Sequence, residues 1–273
     1  MQVKVIILCD NIAGPLFFKG EHGQSMLLDV DGRTFLWDCG LTDIALRNGR
    51  LLGVDFKALE GIGLSHGHSD HAGGLMDVLQ ASGPKRLHMH PGAMEPRYFA
   101  ASGAKLFAGI PFRREAIEAA CLELEFSKRP HEVLPGAYMT GEIPRVTSFE
   151  GNEPNLFVLR DGELVPDMFE DDQALIVDTP DGAIVLTGCA HSGIVNIMKF
   201  ALMRHGKIKA VIGGTHIGMG GEAKLEPTIE FLEEADVEKM VFSHCTGTVA
   251  ISKLMDRFPG RMVPGQSGLY LEF

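Results

Sequence analysis

Leu59-Glu-Gly-Ile-Gly-Leu-Ser-His66-Gly-His68-Ser-Asp70-His71-Ala-Gly-Gly-Leu75 is the stretch from which the rest of the chain is read. Three histidines and an aspartate fall within six positions: His66, His68, Asp70 and His71. The apolar run Ile62–Leu64 ahead of them suits the end of a buried strand. Gly73-Gly74 followed by Leu75, Met76, Val78 and Leu79 suits the start of a packed helix. The cluster therefore belongs on a strand-to-helix loop. Imidazole nitrogen and carboxylate oxygen are donors that Zn, Fe or Mn accept, and an ion needs several of them together. His66 and His68, two apart on an extended segment, point the same way. Asp70 and His71, beyond the turn, can address a second ion, and Gly67 and Ser69 leave room for close approach.

Upstream, Val3–Leu8 reads as a strand ending at the turn pair Asp10-Asn11. Ser25–Val30 and Thr34–Trp37 form a hairpin about Asp31-Gly32. The return strand runs into Asp38-Cys39-Gly40, where Asp38 is either a group supporting the metal loop or a turn-capping aspartate. Downstream, Arg86–His90 reads as a strand with His88 and His90 on one side. Because Arg86 shares that side, the expectation is a surface-facing pair. From Lys85 to Arg114 six Lys or Arg stand against one acid, Glu95. That segment is either a solvated face or a rim that steers anions. Glu115–Glu125 has the pattern of an amphipathic helix, and Gly136–Arg145 of a strand running into a loop.

After Gly151 strands and helices alternate. Strand Asp171–Asp178 and its partner Ala183–Thr187 lead to Gly188-Cys-Ala-His191 and helix Ile194–Arg204. Strand Ile208–Ile212 leads to Gly213-Gly-Thr-His216 and helix Pro227–Ala235. Strand Lys239–Phe242 leads to Ser243-His244 and helix Val249–Phe258. Three strands in succession thus end in a histidine. In α/β sheets the ligand site lies at the carboxyl ends of strands, so these three belong at the same edge as the first cluster.

His66-x-His68-x-Asp70-His71 resembles the signature of the metallo-β-lactamase superfamily of metal-dependent hydrolases. The resemblance implies an α/β fold, the four-layer αββα sandwich, as one domain over residues 1–273, with 92–145 as an inserted, substrate-shaping region. It assigns His66 and His68 to one metal and Asp70 and His71 to another. His191 is the candidate to complete the first site, and His244, matching the superfamily's last histidine, the second. His216 is the candidate for contact with substrate. The implied cofactors are two divalent ions, zinc first, with Fe, Mn or Ni as alternatives. A hydroxide formed at neutral pH would be the nucleophile, oriented by Asp70.

One departure stands out. The superfamily usually has Gly-Asp after the strand Ala183–Thr187, with the aspartate bridging both metals; here the pair is Gly188-Cys189. Cys189 bridges as a thiolate, or His191 takes over, or the centre holds one tight metal and Cys189 is a buried structural thiol.

Further motifs are similar to a subgroup assigned as 7,8-dihydropterin-6-methyl-4-(β-D-ribofuranosyl)aminobenzene-5′-phosphate synthases. These are Asp10-Asn11, Thr-Gly-Glu-Ile-Pro-Arg145, Asp-Asp-Gln-Ala-Leu, Gly-Cys-Ala-His-Ser-Gly-Ile-Val-Asn, Gly-Gly-Thr-His and His-Cys-Thr-Gly. The resemblance implies a small phosphorylated substrate and a condensation in methanopterin-type biosynthesis, with Asn11 and Arg145 as substrate-binding candidates. The alternative is a redox or non-catalytic metal-binding protein on the same fold. Diiron redox relatives carry a carboxylate in place of the second histidine, and His68 speaks against that.

Composition bounds the rest. A hydrophobic share of 45% in 273 residues supports a sizeable core. The net charge of −11 argues against general nucleic-acid binding. The five cysteines are scattered, without Cys-x-x-Cys, so neither a zinc ribbon nor a disulfide framework is expected. No apolar run reaches the ~18–20 residues of a membrane span, and a cytoplasmic protein is expected.

Overall fold

The computed structural model describes residues 1–273 except Asn152 and Met219. Two seven-stranded sheets face each other. The first runs, in spatial order, Tyr270–Glu272, Val3–Cys9, Ser25–Val30, Arg33–Trp37, Leu59–Gly63, Arg86–Met89 and Glu123–Phe126. The second runs Met262–Pro264, Lys239–Phe242, Ile208–Gly213, Ala183–Thr187, Ala174–Val177, Ala137–Met139 and His131–Leu134. Between them Val5, Ile7, Met26, Leu28, Phe35 and Trp37 pack against Met139, Leu175, Val177, Leu186, Ile212 and Val241. Helices cover both outer faces. Ile44–Leu51, Leu75–Ser82 and Arg114–Ala120 contribute to one apolar layer, and Ile194–His205, Glu222–Glu234 and Thr248–Arg257 to the other. This is the four-layer αββα arrangement.

Local chemistry explains the turns and the site's position. The hairpin at Asp31-Gly32 has positive φ at both residues, 51° and 86°, the twist that favours a two-residue loop between right-twisted strands. Strands Arg33–Trp37, Leu59–Gly63 and Arg86–Met89 are parallel, as are Ala183–Thr187, Ile208–Gly213 and Lys239–Phe242. Their carboxyl ends meet at one edge of the sandwich, and the histidines lie there.

A third, four-stranded sheet lies outside the sandwich in the order Glu163–Pro166, Leu156–Arg160, Arg97–Ala101, Ala104–Phe107. Segment 92–145 is therefore divided. Part of it forms this small sheet with residues beyond 145, and part extends the two large sheets.

Three local expectations are corrected. Helix Glu115–Glu125 is instead helix Arg114–Ala120 followed by strand Glu123–Phe126, because the open edge of Arg86–Met89 captures the second half in parallel register. Helix Pro227–Ala235 begins earlier, at Glu222, with Pro227 inside it; the proline removes only the bond to the Ala223 carbonyl. His88 and His90 are buried, at 4% and 2% exposure. Strand Arg86–Met89 is paired on both edges, and His88 packs over Phe35 and stacks on His131 rather than facing water. Burial, with His131 and Arg86 nearby, pushes the His88 imidazole down to about 4.

Candidate metal centre

The chain leaves strand Leu59–Gly63, bends through Ser65–Gly67 with His66, and reaches His68 in extended conformation before the single helical turn Ser69–Ala72 presents Asp70 and His71. His66 Nε2 and His68 Nδ1 converge to 3.0 Å. Gly67 has no space for a side chain: a Cβ there would lie 2.0 Å from the Ala93 carbonyl oxygen and 2.5 Å from Arg97 Nη1. The small spacer is thus a steric requirement.

The second large sheet supplies the other three histidines. His191, His216 and His244 follow its strand ends and are buried. Asp38, Ala190, His216 and His244 all hold left-handed backbone, with φ of 60°, 58°, 51° and 51°. Such residues cost of order 1–3 kcal/mol each, and the fold keeps them where side chains must turn towards one point.

Three donor groups share Cys189, one of them with His216 and Cys245. Ligand atoms of His66, Cys189 and His191 lie within 4.8 Å of one another, and so do those of His71, Cys189 and His244. Cys189 is common to both, with its sulfur 3.3 Å from His71 Nε2. Asp70 Oδ2 lies 3.3 Å from His244 Nε2 and 3.8 Å from His71 Nε2, beside the second group. Buried polar atoms ordinarily find partners, yet His68 Nε2 and both nitrogens of His191 have none within the described protein. Burial foremost holds His66 and His191 well below the ordinary histidine range and His68 down to about 3. Imidazole nitrogens, a thiol and a carboxylate around one point fit divalent transition ions.

Supporting groups fix the tautomers. Asp38 Oδ2 accepts from His71 Nδ1 at 2.7 Å, while its two oxygens also take the Ser65 amide and hydroxyl. That leaves His71 Nε2 facing the donor cluster, and Asp38 is hydrogen-bonded to the loop that carries it. Asn11 Oδ1 sits 2.8 Å from His244 Nδ1 and does the same for His244. Glu153 accepts from His216 Nδ1 at 2.9 Å and from Lys224 at 2.7 Å. Asp172 takes the amide and hydroxyl of Ser192, next to His191, whose ring stacks on Phe169 at 4.2 Å.

Above this floor is a cavity of about 530 Å³. Asn11, His22, His68, Asp70, Cys189, His191, His216, His244 and Cys245 lie on its polar side. The small sheet contributes Phe99, Leu106, Phe107 and Leu156 as an apolar wall. It is joined to the metal loop by the Ser69 amide donating to the Ala108 carbonyl at 2.8 Å and by the bridge between His68 and Gly109.

Two expectations need revision. Among the described residues no lysine or arginine lines this cavity. Of the basic segment, Arg86 pairs with Glu123 and Arg114 with Glu118, while Arg97 is buried between Asp167 and Asp171 at 2.7 Å from each. Asp171 in turn accepts the Gly67 amide at 2.8 Å, so Arg97 braces the metal loop instead of forming an anion-steering rim. Arg145 also lies behind the floor, its guanidinium donating to the carbonyls of Met168, Phe169 and His191. Sequence reading missed Glu153, Asp171, Asp172 and Arg97; of these only the Asp171-Asp172 pair, just before a strand, stood in a motif.

Known proteins agree with this architecture. Over 273 aligned residues, 94% of this chain and 92% of the other, the chain is 31% identical to the 7,8-dihydropterin-6-methyl-4-(beta-D-ribofuranosyl)-aminobenzene-5′-phosphate synthase of Methanocaldococcus jannaschii. It is 30% identical to an uncharacterized protein of that organism, across 91% of this chain and 92% of the other. A crystal structure described as a metal-dependent hydrolase of the beta-lactamase superfamily superposes with a TM-score of 0.87, at 31% identity and 99% coverage of both chains. The Metallo-beta-lactamase superfamily profile matches residues 19–244. The chain belongs to the metallo-beta-lactamase superfamily.

Proposed function

We propose that the protein is a metal-dependent enzyme acting on a small phosphorylated substrate that carries a flat apolar ring. Its specific form is the condensation named for the Methanocaldococcus jannaschii relative, which shares 31% of aligned residues over 94% of this chain. The observation that carries the reading is the junction of two donor groups at Cys189 beneath the wall of Phe99, Leu106, Phe107 and Leu156. A ring would lie against that wall and an anionic group would point to the floor.

Divalent ions held by the two groups would supply positive charge against a substrate oxygen and bring water to a pKa near ~7. The chain's own residues do the rest. His66, His68 and His191 would hold one ion, and Asp70, His71 and His244 the other, with Cys189 shared. Asp38 and Asn11 keep the donor nitrogens turned inward. Asp70 stands at the rim beside His22, 3.4 Å away, where it would also orient a nucleophile. His216, braced by Glu153 and Lys224, faces the cavity and would contact the substrate. Because the described residues of the cavity wall include no arginine or lysine, phosphate charge would be met by the metal floor itself.

The test has two parts. Elemental analysis is expected to give about two metals per chain and to fall towards one in His71→Ala. The protein loaded with Zn, Fe, Mn or Ni is then given an activated 6-methyl-dihydropterin and a ribofuranosyl-aminobenzene 5′-phosphate, alongside phosphomonoester and phosphodiester probes, with products read by mass spectrometry. Joined product supports the condensing form and phosphate release the hydrolytic one. Neither product with any of the four ions would overturn the proposal.

A further inference from the structure

A second cluster of donors lies apart from the centre and shares no residue with it. We propose that His88, Glu125 and His131 form a structural site for a zinc-class divalent ion, closing the edge between the two large sheets. The three ligand atoms lie within 4.8 Å of one another. His88 sits opposite Glu125 in the register of strands Arg86–Met89 and Glu123–Phe126, and His88 Nδ1 is 3.3 Å from Glu125 Oε2. His131 comes from the other sheet, on its outermost strand, His131–Leu134. The two imidazoles stack at 5.4 Å and 28°.

The observation that points to a ligand is a pair of buried nitrogens. His131 Nε2 is shielded from solvent and lacks a hydrogen-bond partner, and His88 Nδ1, equally shielded, faces the Glu125 carboxylate without hydrogen-bond geometry. His131 Nδ1 faces the Arg129 carbonyl at 3.3 Å; donating there fixes the proton on Nδ1 and leaves a lone pair on Nε2. This is how ligating histidines are usually oriented. A histidine pair serving only as core filling would be expected to satisfy these nitrogens.

Two imidazoles and one carboxylate are a common zinc donor set, with ligand distances of about 2.0–2.2 Å. The Glu125 side chain, 40% exposed, has freedom to close on the ion. Glu123–Phe126 ends one sheet and His131–Leu134 ends the other, so an ion here ties the two edges together. The expected role is stability rather than turnover.

The experiment compares zinc content and thermal unfolding of the wild type, His131→Gln and Glu125→Gln, each loaded with zinc and dialysed against metal-free buffer. The wild type is expected to retain one zinc per chain more than either variant, and added zinc to raise its unfolding midpoint more than theirs. Equal zinc content in all three proteins overturns the site, as does an equal zinc-dependent shift. Glu125→Gln alters an accessible side chain and keeps the comparison available if His131→Gln does not fold.

Discussion

The floor and the lid of the cavity are built on opposite principles. On the floor, polar side chains are held by other polar side chains: Asp38 serves His71 and Ser65, Asn11 serves His244, and Glu153 serves His216. The lid instead offers Leu106 and Phe107, each about half exposed, on a short two-stranded edge. Buried charge tolerates little displacement, because an unpaired group in low dielectric is costly. Apolar contact is non-directional and scales with area. The floor is therefore suited to holding ions in one geometry, and the lid to accepting rings of varied shape.

Variants can break or sharpen that contrast. The largest effect is expected at Arg97, where floor and lid are tied. Arg97→Ala leaves Asp167 and Asp171 buried without their cation, and a loss of about 3–5 kcal/mol in unfolding free energy is expected from denaturant titration. A stability close to wild type would mean that the lid is not braced through this pair. Next comes Asp38→Asn, which weakens the partner of His71 Nδ1. Metal affinity measured by chelator competition should fall by about 10–100-fold, with the fold retained in circular dichroism. Asn11→Ala should act in the same direction but less, by about 1 kcal/mol, since one neutral hydrogen bond is lost. Smallest is Phe107→Ala. It is expected to raise KM several-fold for a ring-bearing substrate and leave metal content unchanged; a fall in metal content would erase the distinction between lid and floor.

The two halves of the centre also differ in how they could be read. His66, His68, Asp70 and His71 are contiguous, so residue type and spacing suffice. His191, His216 and His244 are scattered, yet each follows a strand, and the rule that sites gather at carboxyl ends of strands brings them together. The supporting shell had no such marker. Glu153 stands in irregular chain, and its bond to His216 spans 63 positions. Arg97 looked like one surface cation among six, because only the pairing of its strand with Leu156–Arg160 brings it over Asp167 and Asp171. His88 was misjudged for a related reason. Arg86 reaches the rim of the sheet with its side chain half exposed, while His88, two positions along the same face, is covered by Phe35 and His131.

The contact between His71 and His244 spans 173 positions. During synthesis at about 5–20 residues per second, roughly ten to thirty seconds separate the two residues. Through that interval the contiguous donors are exposed as a half-site without Cys189, His191 or His244. An imidazole-seeking ion near the ribosome would meet them first. An ion taken up at that stage would have to be retained or exchanged once the later donors complete the floor.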